Sequence, residues 1–179
     1  CSSDLPEPSE EMEKYVSAMA RRCGELVEIS QGRTFILFTS YALMDQVYDR
    51  LQHLSSKLSL LRQGEISTGQ MIRRFKETPG VIFGTNSFWQ GVDIPGDALK
   101  SVIITKLPFD VPSEPLTEAR IEDLRSRSID PFSHYQIPRA IIQMRQGFGR
   151  LIRTQSDTGV VSILDSRNVR RGYVKQFLD

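Results

Sequence analysis

Three stretches, "RTFILFTS" at 33–40, "VIFGT" at 81–85 and "LKSVIITKLP" at 99–108, carry apolar runs that do not alternate with polar residues. A strand that is apolar on both sides must be covered on both, so these runs predict the interior of a sheet rather than a sheet with one wet face. Between them the apolar period changes to that of a helix. Met12, Tyr15, Val16, Met19, Ala20, Cys23, Leu26 and Val27 place an amphipathic helix over 10–28. "YALMDQVYDRL" gives another, with Ser40 placed to cap it, and "STGQMIRRFKET" a third, stopped by Pro79 and Gly80. "KLSLLRQG" reads as a short, weaker strand. Alternating strands and helices predict an α/β fold, a mostly parallel sheet with helices on both faces.

The rhythm breaks at 108–138. Pro108, Pro112, Pro115, Pro131 and Pro138 bracket a single helical piece, "TEARIEDLRSRS", which predicts an insertion or long surface loop. A helix over about 138–152, the strand "GVVSIL" and a last helix "NVRRGYVKQFL" then resume the pattern. One domain over 1–179 is expected, with a Pro/Ser/Glu leader at 1–9 and an opening cysteine that suggests a segment of a longer protein.

Composition serves mainly to exclude. No apolar run is long enough to span a bilayer and the N-terminus lacks a signal-peptide succession, so a soluble, cytoplasmic domain without membrane contact is expected. Two cysteines and two histidines do not complete a metal site, and no metal held by this chain alone is expected. A net charge of +1 argues against adhesion of the whole surface to nucleic acid. The charge is uneven, however, with an acidic beginning and a basic end from Arg139 onward.

That basic end holds the most informative stretch, "QMRQGFGRLIR" at 143–153. At about 100° per residue, Arg139, Gln143, Gln146, Arg150 and Arg153 share one sector of the helix, with Ile141, Met144, Phe148, Leu151 and Ile152 opposite. Every polar member of the stripe is a hydrogen-bond donor and none is an acid. Gly147 and Gly149 flank it, although two glycines inside a helix cost roughly 2 kcal/mol relative to alanine. Close approach of a ligand or a second backbone would offset that cost, and a guanidinium fork suits phosphate. The plain alternative is the solvated face of an amphipathic helix.

"QGFGRLIR" resembles the sixth motif of superfamily 2 helicases as used by the XPD and DinG family of DNA helicases, with Gln146, Gly149, Arg150 and Arg153 at matching positions. "FTSY" at 38–41 resembles motif IV. "GTNSFWQGVDIPGD" at 84–97 resembles motif V, with Gly91 and Asp93 in its Gly-x-Asp core. "KLPFDVPSEP" and "LDSR" look more like bacterial DinG than eukaryotic XPD. The resemblance implies the second RecA-like motor domain of a bacterial ATP-dependent DNA helicase, a P-loop-NTPase-type three-layer sandwich. It closes on ATP and Mg2+ held mainly by a first RecA-like domain of the same chain. Arg153 is then the first candidate for an arginine finger, with Arg150 and Gln146 beside it, and Gly91 and Asp93 lie between nucleotide and DNA. No Gly-x-x-x-x-Gly-Lys-Ser/Thr loop or Asp-Glu pair is present, so the isolated domain is expected to be inactive. Any iron–sulfur cluster would lie outside this segment.

In that setting Thr39 and Ser40, at a strand end that opens a helix, are expected to hold a phosphate of single-stranded DNA. Thr85, Asn86 and Ser87 would donate to the same backbone, and Trp89 either stacks on a base or joins the core. Phe88 and Cys23 are expected in the core, His53 and His134 at the surface, and Asp165 in a structural pairing with Arg167. A rival reading keeps the fold as a non-motor nucleic-acid-binding or nuclease-associated module. A dinucleotide-binding oxidoreductase fits less well, because "GFG" follows helical residues rather than a strand.

Overall fold

The computed structural model describes residues 12–85, 88, 98–151 and 158–165, giving the backbone at 147–151. Helix α1 (Met12–Ile29) precedes β1 (Thr34–Phe38), α2 (Tyr41–Arg50), β2 (Ser59–Arg62), α3 (Thr68–Glu77) and β3 (Gly80–Thr85). Then come β4 (Ser101–Ile104), α4 (Pro115–Ser126), α5 (Ile137–Leu151) and β5 (Val160–Ile163). The strands form one five-stranded sheet in the order β2-β3-β1-β4-β5, every neighbouring pair parallel. The α/β reading is met.

The unbroken apolar runs have the predicted consequence. All residues of β1, β3 and β4 are buried, and successive side chains serve opposite faces. Phe35 and Leu37 join Met71 and Phe75 of α3 and Ile137, Ala140 and Met144 of α5 in one apolar layer. Ile36 and Phe38 join Val16, Met19 and Cys23 of α1 and Met44 and Val47 of α2 in the other. Cys23 and Phe88 are core residues as expected, and burial pushes the Cys23 thiol well above its ordinary pKa.

Local chemistry sets the element ends. Ser40 caps α2 by accepting from the Leu43 amide at 3.3 Å. Ser67 and Gln70 form a reciprocal capping box at the start of α3. Between α1 and β1 the chain turns through three consecutive left-handed residues, Gln31, Gly32 and Arg33. Gly80 lies so close to β2 that an added Cβ would stand 2.6 Å from the Ser59 carbonyl oxygen. This is a position where only glycine admits the neighbouring strand.

In the proline-rich stretch, α4 is followed by a π-helical turn (Phe132–Gln136) that runs into α5. The Phe132 ring stacks on Phe109 at 5.7 Å, and Arg120 lies over the Tyr135 ring. The leader at 1–9, the motif V stretch from Trp89 to the end of that motif, and the helix "NVRRGYVKQFL" fall outside the described residues. No helix among the described residues is long and apolar enough to cross a membrane.

Candidate functional site

Parallel α/β sheets present ligands at the carboxyl ends of their strands. Here β2, β3 and β1 end side by side, with Phe38 opposite Thr85 in register and Arg62 opposite Phe83. Thr39 is half-buried and Ser40 exposed where β1 passes into α2. The Ser40 hydroxyl accepts from the helix amide and keeps its proton for another acceptor.

Thr85 is buried, its amide donates to Gln63 Oε1 at 2.7 Å, and its hydroxyl donates to the same oxygen at 3.1 Å. With both donors so engaged, Thr85 joins Gln63 in organising the edge from within. The Gln63 backbone amide donates to the Phe83 carbonyl at 2.9 Å, and its Nε2 donates to the Tyr41 hydroxyl at 2.9 Å. Gln63 thus ties the ends of β1, β2 and β3 together. Reading the sequence by motif passed it over; its place just after a strand in an α/β sheet is the signal that finds it.

The second region is the outer face of α5. Ile137, Ala140 and Met144 seat the helix on the sheet, while Arg145 and Gln146 are exposed. As the helical wheel implies, Ile141 packs on the core while Ile142, beside the polar stripe, is 57% exposed. The helix continues through 147 and 149 to Leu151, so the glycines do not break it.

The stripe is not free of acids, a correction to its reading from α5 alone. Asp110, largely buried, reaches from the proline-rich stretch to accept from Arg139 Nε through one oxygen and from Gln143 Nε2 at 2.8 Å through the other. Hydrogen bonding to Asp110 raises the Arg139 guanidinium above its already high ordinary pKa. Asp110 carries no local signal, because its partners lie 29 and 33 residues further on. Among the described residues, the Gln146 side chain has no hydrogen-bond partner. Backbone position 150 lies about one turn beyond it in the same helix.

Asp165 is buried and accepts from the Leu107 amide at 3.1 Å, fixing the chain where it leaves β4. Arg167, its expected partner, falls outside the described residues. His53 and His134 are exposed, each with Nδ1 against a backbone carbonyl. Asn86, Ser87, Trp89, Gly91, Asp93 and Arg153, together with the Arg150 side chain, also fall outside the described residues. Two open clefts, about 480 Å³ beside Gly24 and His53 and about 380 Å³ beside Lys100 and Val160, include no residue of the carboxyl edge.

A parallel five-stranded sheet clad on both faces by helices defines an α/β domain of RecA-like architecture. The chain belongs to the helicase C-terminal domain family, whose model matches residues 23–179. It is 51% identical over 154 residues to the ATP-dependent DNA helicase YoaA of Haemophilus influenzae, covering 86% of this chain and 24% of that protein. To the 3'-5' exonuclease DinG of Bacillus subtilis it is 37% identical over 179 residues, covering 97% of this chain and 18% of the relative. An XPD helicase structure superposes with a TM-score of 0.76 at 17% identity, over 97% of this chain and 32% of that one, which establishes the shared fold. The chain therefore spans a quarter or less of these two curated relatives.

Proposed function

We propose that this chain is the second motor domain of an ATP-dependent DNA helicase. It closes on ATP bound mainly to a first RecA-like domain of the same protein and presents Gln146, Arg150 and Arg153 to the phosphates. The observation that carries this reading is α5 itself. Ile137, Ala140 and Met144 anchor it on the sheet, its helix runs unbroken past two glycines, and exposed Gln146 leads toward position 150.

The chemistry follows from charge. As the terminal phosphoryl group transfers to water, negative charge shifts on its oxygens, and positioned guanidinium groups stabilise that distribution more than the ground state. Mg2+ arrives with ATP and neutralises its phosphates. Gly147 and Gly149 limit bulk beside the stripe, so the facing domain can approach closely. Thr39, Ser40, Asn86 and Ser87 hold backbone phosphates of single-stranded DNA without reading sequence, and Trp89 offers a stacking surface. Gly91 and Asp93, the Gly-x-Asp core of motif V, link closure on ATP to the grip on DNA. An iron–sulfur cluster would be held elsewhere, because Cys23 is a fully buried thiol held protonated by its apolar surroundings.

In the full-length protein, Arg153→Ala should lower the DNA-stimulated kcat for ATP by about a thousandfold or more. The isolated chain should show no hydrolysis above background. Retained turnover in the variant would remove Arg153 from the finger role. The second reading, a nuclease-associated or non-motor binding module, draws on the B. subtilis relative named as an exonuclease. A full-length protein that binds single-stranded DNA but hydrolyses no ATP would favour it.

A further inference from the structure

We propose that Tyr41 is a phosphate-binding residue for single-stranded nucleic acid and that Gln63 is the positioning residue that turns its hydroxyl proton toward the ligand. This rests on the reading that the carboxyl edge holds such a strand. The direction of the hydrogen bonds carries the inference. A backbone N–H can only donate, so the Gln63 atom 2.7 Å from the Thr85 nitrogen is the amide oxygen. The amide nitrogen is then the atom 2.9 Å from the Tyr41 oxygen, and it too can only donate.

The Tyr41 oxygen therefore accepts, and its own proton must be donated elsewhere. Tyr41 is 53% exposed and follows Ser40 directly at the start of α2, so its proton, like the one Ser40 retains, is available to an acceptor outside the domain. The two hydroxyls, carried by consecutive residues, are both donors for phosphate oxygens, and neither distinguishes one base from another. Gln63 cannot easily reverse its amide. Turning it would place NH2 against the Thr85 amide, and its backbone is held by the bond to the Phe83 carbonyl at 2.9 Å. Gln63 thus sets polarity as well as position.

The test is a fluorescence-anisotropy titration of labelled oligo-dT with the full-length protein at fixed salt without nucleotide, with melting temperature measured in parallel. Tyr41→Phe should raise Kd about tenfold, the low end for losing a hydrogen bond to a charged group. Gln63→Glu keeps an acceptor for Thr85 but draws the phenol proton inward, so it should also weaken binding while changing the melting temperature little. The decisive measurement is the double variant. Adding Tyr41→Phe to Gln63→Glu should change Kd less than twofold, because the outward proton is already lost.

A full tenfold effect of Tyr41→Phe in the Gln63→Glu background would overturn the role of Gln63, leaving only a charge effect. Unchanged affinity of Tyr41→Phe alone would overturn the whole proposal. Absence of oligo-dT binding by the unsubstituted protein would overturn both this inference and the DNA-binding reading beneath it. Binding without ATP turnover would overturn the motor reading alone, because the comparison of Kd values needs no hydrolysis.

Discussion

The carboxyl edge of β1–β3 and the outer face of α5 both display hydrogen-bonding groups, but they satisfy them differently. At the sheet edge, Thr85, Gln63 and Tyr41 form a chain of donors and acceptors within the domain, ending in an exposed phenol. On α5, Asp110 draws Arg139 and Gln143 to one carboxylate, whereas the Gln146 side chain has no hydrogen-bond partner among the described residues. The edge is built from within and needs a ligand only at its rim. The helix is tied down near its start by Asp110, whereas Gln146, a turn further along, is exposed. Self-satisfied groups set geometry, and the ones left over recognise something.

The largest test contrasts the two sides of α5. Met144 is fully buried against the sheet, so Met144→Ala should cost about 2–4 kcal/mol through lost burial and a residual cavity. Gln146→Ala, on the exposed side, should shift stability by no more than about 0.5 kcal/mol. Thermal melting of the two variants decides it. Equal losses would show that the outer face is held by contacts within the domain, and the contrast with the sheet edge would fail.

A smaller effect belongs to Asp110, where the inward and outward parts of the stripe divide. Its carboxylate is mostly buried, but the Arg139 side chain is 47% exposed, so solvent weakens the pair and Asp110→Ala should cost only about 1 kcal/mol. The loss should be local. Amide exchange over 107–136 should quicken while β1 and β3 stay protected, because the carboxylate clasps the proline-rich stretch to α5. Unchanged exchange there would mean that the Phe109–Phe132 stack alone holds the stretch.

These contrasts also show what a linear sequence carries. The buried strands and their flanking helices were legible because the information is local: an apolar run, a 3.6-residue period and a capping serine lie within one element. The inward face of α5, with Ile137, Ala140 and Met144 on the sheet, was legible because a helix repeats its own faces. Asp110 was not, since its bonds join residues far apart and no period marks them. Gln63 acts through strands brought together only by folding, and the π-helical turn at Phe132–Gln136 has no comparable sequence rhythm. Thr85 has a partner that its motif does not announce, since Gln63, just after the adjacent strand, supplies an inward acceptor.

The smallest expected effect lies at Asp130, where the proline-rich stretch enters the π-helical turn. Its carboxylate accepts from the Ser133 hydroxyl at 2.6 Å and from the amides of Ser133 and Phe132 at 3.1 and 3.2 Å. These bonds, led by the Ser133 hydroxyl, hold its carboxyl below the usual carboxylate range. A lowered folded-state pKa means that the stabilisation is present above the ordinary value, about 4, and disappears as pH falls through the lowered one. Because the group is exposed, the change should be confined to the turn. The amide proton resonances of Phe132 and Ser133 should shift together with a midpoint below that of a free aspartate, and Asp130→Asn should remove the step. A midpoint at or above the free value would show that water, rather than Ser133, satisfies this carboxylate. The turn would then be held by the aromatic stack and its junction with α5 alone.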